Sequence, residues 1–115
     1  MRQENINIIP LQAAATITSA AIDARNLFYC SAQAIATGAG AAGTLKLQAS
    51  DDIAGADGNS GSPSNWSDIP SATVSVSAAG AFLIPKTDLC YQWVRVVYTN
   101  SGTGTINVRF KALGD

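Results

Sequence analysis

The stretch Thr44-Leu45-Lys46-Leu47-Gln48-Ala49-Ser50 alternates polar and apolar side chains without a break. In an extended chain successive side chains point to opposite faces. A period of two therefore makes one face apolar and the other wet, as in a half-buried strand. Downstream, Thr73-Val74-Ser75-Val76-Ser77 repeats the pattern with Val74 and Val76 inward. Thr105-Ile106-Asn107-Val108-Arg109-Phe110-Lys111 repeats it again, with Ile106, Val108 and Phe110 inward.

Two further runs, 26–35 and 91–98, carry large apolar residues at odd and even positions alike. A strand apolar on both sides is either central with both faces covered or half-buried in a partner. A chain of 115 residues has little left for a second covering layer. Assembly is the simpler expectation, with a protruding loop as the other means of cover. Shorter candidates are 5–9, 16–18 and 82–84, the last ended by Pro85 or confined by it to a sheet edge. Glycine-bearing turns at 38–43, 78–80 and 100–104 separate the runs, and 100–104 reads as a hairpin loop between the last two strands. The best helix start, Ala13-Ala14-Ala15, runs at once into Thr16-Ile17-Thr18, whose branched side chains favour strand. The expected fold is all-β: an antiparallel, jelly-roll-like β-sandwich of seven to nine short strands, one domain over residues 1–115. Residues 1–12 are either an extended N-terminal arm or part of the sandwich. Ile6, Ile8 and Ile9 there are candidates for pairing with a neighbour by strand addition.

Apolar residues make up 47% of the chain and charged residues 13%, the latter about half the usual share. That mix is too apolar for disorder, and small uncharged surfaces suit contact with other proteins. Seven basic and eight acidic residues leave a net charge of −1. Neither the basic footprint of a nucleic-acid binder nor the polybasic cluster of an anionic-membrane binder is present, so neither partner is expected. No apolar run approaches the ~20 residues of a spanning helix. The first residues lack a basic region feeding an apolar stretch and read as mature protein rather than a signal peptide. Cys30 and Cys90 lie in strand-like runs and are expected as reduced core thiols, a disulfide between them being the alternative.

The chain has no histidine. The commonest general base, metal ligand and activator of a nucleophile is therefore missing, and no enzyme activity is expected. Asp51, Asp52, Asp57 and Asn59 form the one constellation that resembles a metal site. Calcium takes six to eight oxygens, and the spacing does not follow the twelve-residue calcium loop. The acidic residues read as solvated or turn-forming, so neither metal nor cofactor is expected. The glycine-rich segment 51–65 reads instead as an exposed loop able to reach a neighbour. Tyr91 and Trp93, in the two-sided run, are further candidates for partner contact. Trp66 and Trp93 could stack on sugar rings, although packing is the plainer role for both. Arg95 is the charge expected to be buried, and it would need Asp68 or Asp88 in a structural ion pair.

Several of these stretches recur together in one order: 43–52, then Asn65-Trp66-Ser67-Asp68-Ile69-Pro70, then 73–77, 91–99 and 102–105, with Ser19-Ala20-Ala21-Ile22-Asp23 and 29–37 upstream. In that order and spacing the chain resembles small β-sandwich virion proteins of tailed bacteriophages. The segment between Asp52 and Asn65 has no counterpart, so no role for it carries over. The resemblance implies a capsid decoration or cement protein, made in the host cytoplasm and bound on the capsid surface of the virion. Its partner would be the major capsid protein, and the run 91–98 would bury against a symmetry mate to give a dimer or trimer. A tail- or fibre-associated virion protein and a carbohydrate-binding β-sandwich module are the alternatives.

Overall fold

The alternating stretch becomes strand β5 (Gly43–Ser50), in which Leu45 and Leu47 are fully buried while Thr44, Lys46 and Gln48 are half-exposed. The structure, a computed structural model, describes residues 2–13, 16–52 and 63–114. Eight further strands lie among them: β1 (Arg2–Ala13), β2 (Ile17–Thr18), β3 (Ile22–Asp23), β4 (Leu27–Thr37), β6 (Ser67–Val76), β7 (Gly80–Asp88), β8 (Trp93–Asn100) and β9 (Thr105–Gly114). The described residues contain no helix.

The pairings are nested around the 51–66 connection. Strand β5 pairs with β6, β4 with β7, β2 and β3 with β8, and β1 with β9, all antiparallel. Two cross-pairings, β5 with β8 and β4 with β9, zip this long hairpin into sheets of order β1-β9-β4-β7 and β2-β8-β5-β6, with β3 also on β8. If β2 and β3 count as one interrupted strand, this is the eight-stranded jelly roll. The interruption has a local cause. The Ser19 amide donates to the Val96 carbonyl, and the Val96 amide donates to the Ser19 hydroxyl, so a side chain replaces one rung of the ladder.

Connections β4–β5, β6–β7 and β8–β9 each cross from one sheet to the other. The 100–104 turn is therefore not a hairpin loop. It is an arch that lies on the β4–β5 arch, with the Ser101 amide donating to the Ala42 carbonyl and the Thr103 amide to that of Gly40. A Cβ on Gly102 would collide with the Gly40 carbonyl and the Ala42 amide, so the two arches require glycine there.

Between the sheets Leu45, Leu47, Ile84, Val94, Val96, Ile106 and Val108 are all 0% exposed. The inner face of β4 is Cys30, Ala32, Ala34 and Ala36, small side chains that account for much of the alanine in a run that looked two-sided. Tyr98 packs its ring on Gly43 and donates its hydroxyl to the Ala42 carbonyl, and burial raises its pKa. The total surface, 5930 Å², matches the roughly 5,900 Å² that a compact monomer of this mass exposes, so the layers close on themselves.

All four sheet edges are irregular. Strand β1 slips register twice against β9, β2 and β3 are interrupted, and β7 carries Pro85 and Lys86 at a register shift. On β6, the four residues between Asp68 and Thr73 oppose one on β5, Leu47, and Ser71 takes a φ of 63°. Broken edges of this kind resist pairing with another chain. Residues 6–9 are taken into the sheet on one side by the pairing of β1 with β9. Ile9 is 1% exposed, Ile6 is half-buried, and Ile8 packs against the core. The segment 2–13 thus belongs to the sheet.

Candidate functional site

Three connections, β3–β4, β5–β6 and β7–β8, gather at one end of the sandwich. They enclose an open depression of about 590 Å³ walled by Asn26, Phe28, Asp51, Cys90, Tyr91 and Gln92. Asn26 sits at φ 66°, a left-handed conformation that asparagine tolerates better than most residues, and it turns the chain into β4. Phe28 is 47% exposed at the rim. The Gln92 side-chain nitrogen, Nε2, is buried without a hydrogen-bond partner among the described residues.

Both acidic residues at the root of the long loop are engaged in holding it. Asp51 accepts the Gln92 amide at 3.0 Å, tying β5–β6 to β7–β8. Asp52 accepts the amides of Ser64 and Asn65 at 2.7 and 2.9 Å on one oxygen and the Asn65 side chain at 2.9 Å on the other. These donors, the Asn65 amide foremost, pull the Asp52 pKa down to about 2. No group of three or more acidic, thiol or imidazole side chains gathers among the described residues. Asp57 and Asn59 lie outside them.

The outer face of β8 is covered from within the chain. Trp93, 9% exposed, donates its indole N–H to the Asp52 carbonyl at 3.2 Å. The Trp66 ring lies 4.3 Å below the Arg95 guanidinium, and its own N–H donates to the Pro63 carbonyl. Within the chain the ends of the long loop cover this part of the two-sided run, which is the protruding-loop cover that the sequence left open beside assembly. Trp93 is packed, and Trp66 is half-buried with the Arg95 guanidinium on its ring, so packing engages both. Tyr91 is half-buried at the floor between the loops.

Arg95 is half-buried and forms no ion pair among the described residues. Its Nε donates to Gln48 Oε1 at 2.8 Å, and Gln48 passes its own N–H to Asp68 at 2.8 Å. Asp68 pairs with Lys46, and the Gln48 bond, then the Lys46 bond, lower its pKa. Asp88 stands on the other sheet, at the end of β7. The expected Arg95–Asp68 or Arg95–Asp88 pair is thus replaced by a stack and a relayed hydrogen bond. An amide and an indole can satisfy a guanidinium that is only half-buried. Both cysteines are free: Cys30 is buried, with burial pushing its thiol up to about 12, but Cys90 is exposed rather than in the core.

Phe28, Tyr29 and Leu83, the exposed large apolar side chains among the described residues, all belong to β4 and β7. Sequence reasoning missed them as surface residues. Phe28 and Tyr29 sit where β4 slips register against β9, which turns adjacent side chains outward together.

The chain matches no protein-family model and no curated protein. Among solved structures it is similar to the crystal structure of the PBSX exported protein XepA, with a TM-score of 0.61 and 17% identity over 99% of this chain. The chain spans 37% of the length of that protein, and the likeness is one of fold.

Proposed function

We propose that this chain is a phage-encoded, non-catalytic binding module, and that its specific role is that of a virion structural protein which decorates the capsid. The observation that carries the reading is the whole-chain match of its sandwich to a phage PBSX protein. Supporting it are the absence of histidine, a low charge content and the resemblance of its ordered motifs to small virion proteins. A cement protein acts by mass action: binding the assembled lattice but not its separate subunits stabilises the lattice by the free energy of binding, multiplied over many copies. The loop end and the outer face of the β1-β9-β4-β7 sheet are the surfaces available for contact.

The test is co-sedimentation of the purified protein with expanded empty heads and, separately, with purified tails. Saturable binding to heads that raises their melting temperature is the expected result. Binding to tails alone moves the role to the tail, and binding to neither removes the virion reading.

A second reading draws on two observations. The structural neighbour is described as exported, and the loop-end depression is open and lined by Phe28, Asp51 and Tyr91. These favour a carbohydrate-binding module acting outside the particle. A glycan array with no signal at high protein concentration would leave that reading without support.

A further inference from the structure

The two sheets present unlike outer faces. On the β2-β8-β5-β6 sheet the polar groups satisfy one another: Lys46 with Asp68, Arg95 with Gln48 and the Trp66 ring. On the β1-β9-β4-β7 sheet Lys86, Arg109 and Lys111 are all exposed and none forms an ion pair among the described residues. Among the described side chains this face holds one carboxylate, Asp88, opposite Tyr29. A chain of net charge −1 therefore turns a basic face to its surroundings.

Within that face lies an apolar slot of about 150 Å³. Tyr29, Cys30, Ser31, Ala112 and Leu113 line it together with Lys86 and Lys111. The Lys86 ammonium stands 4.4 Å above the Tyr29 ring. The slot lies beside the β4–β7 register shift between Cys30 and Ala32, where Pro85 and Lys86 stand unpaired on β7, while residues 29–31 stay paired with 111–113 of β9. A cavity of roughly this volume holds one benzene-sized group. An apolar recess with two ammonium groups in its lining selects a partner with a single large apolar side chain set among carboxylates.

We infer that this face is a docking surface for an acidic protein segment, which seats one aromatic or leucine side chain in the slot and places carboxylates against Lys86 and Lys111. The inference rests on the reading above, since it names the chemistry of the protein partner. The irregular edges direct contact toward this face, because strand addition is disfavoured at every edge.

The test uses the intact chain and a blocked peptide, Asp-Asp-Phe-Asp-Asp, titrated by amide chemical-shift mapping and by fluorescence anisotropy at low salt. Shifts are expected at 29–31, 86 and 111–113, saturating with peptide and weakening as salt screens the contact. K86E/K111E should lower the affinity at least about tenfold, whereas S75E, on the other sheet, should leave it unchanged. Unaltered far-UV circular dichroism of K86E/K111E keeps that comparison meaningful. If that variant is misfolded, K86Q and K111Q singly should each weaken binding.

No shift with peptide, shifts confined to the loop end, or equal affinity of wild type and the charge variants would overturn the inference. So would binding to phosphatidylglycerol vesicles in place of the peptide, which would make the face a membrane surface. The outcomes separate from those of the head and tail assay. Peptide binding at the slot with no binding to heads or tails removes the virion reading and keeps the surface. Binding to heads that K86E/K111E does not alter removes the surface and keeps the reading.

Discussion

Asp52 is the residue on which the long loop turns, and its behaviour in acid is predictable. Its carboxylate accepts three hydrogen bonds, so its folded pKa, about 2, lies below the reference value of 3.8. A depressed carboxylate contributes stability that is complete above the unfolded pKa and is lost as pH falls through the folded one. The clamp should therefore hold at pH 5 and release between about pH 4 and 2. Trp93 donates to the Asp52 carbonyl, so its fluorescence should report the release, and D52A should show the released signal already at neutral pH. Arg95 supports a second prediction. R95A and W66A should each destabilise the fold, with a coupling of about 0.5–1 kcal/mol in a double-mutant cycle, whereas D88N leaves stability unchanged. A large effect of D88N would restore the ion pair. The sequence marks Arg95 as a charge in need of a partner. It does not say whether carboxylate or ring answers it, because Trp66 and Arg95 meet only once β5, β6 and β8 are assembled. Asp52 was legible as a loop residue, but its amide donors lie beyond a segment with no periodic signal.

At the level of elements, the rung supplied by Ser19 gives a direct experiment. S19A leaves the Val96 amide without its acceptor beside a fully buried side chain, and it should cost about 1–3 kcal/mol, read as a lower urea midpoint at constant m-value. G102A should cost at least a similar amount, about 1–3 kcal/mol, because the arches cannot separate without losing their mutual hydrogen bonds. The strands at 44–50, 73–77 and 105–111 were legible because each has one wet face, and a period of two reports that directly. The cover on β8 was not, because a two-sided apolar run looks the same whether loop or partner lies on it. The true length of β6 was hidden as well: Pro70 and the bulge around Ser71 break the alternation that would have revealed it. The cross-sheet path of 100–104 was illegible for another reason. Glycine permits either a hairpin or an arch, and the choice is made by the β4–β5 arch on which it rests.

For the molecule as a whole, nested pairing means that almost every rung joins residues far apart in the chain. Folds of this kind form slowly, in milliseconds to seconds, since loop-closure entropy must be overcome before the contacts form. Stopped-flow refolding followed by Trp93 fluorescence should fall in that range, and a microsecond phase carrying the full amplitude would contradict it. The same nesting places Arg2 opposite Gly114, about 5 Å apart as antiparallel partners. Residues near the two ends of the sandwich's path therefore emerge side by side, at the end that holds the three loops. Such a roll has no topological need of its own starting point. A short glycine-serine bridge from Gly114 to Arg2, with the backbone reopened at Ala78-Ala79, should yield a circular permutant of unchanged circular dichroism. The same adjacency would let the roll be spliced into an exposed turn of an unrelated host protein without parting the host's own strands.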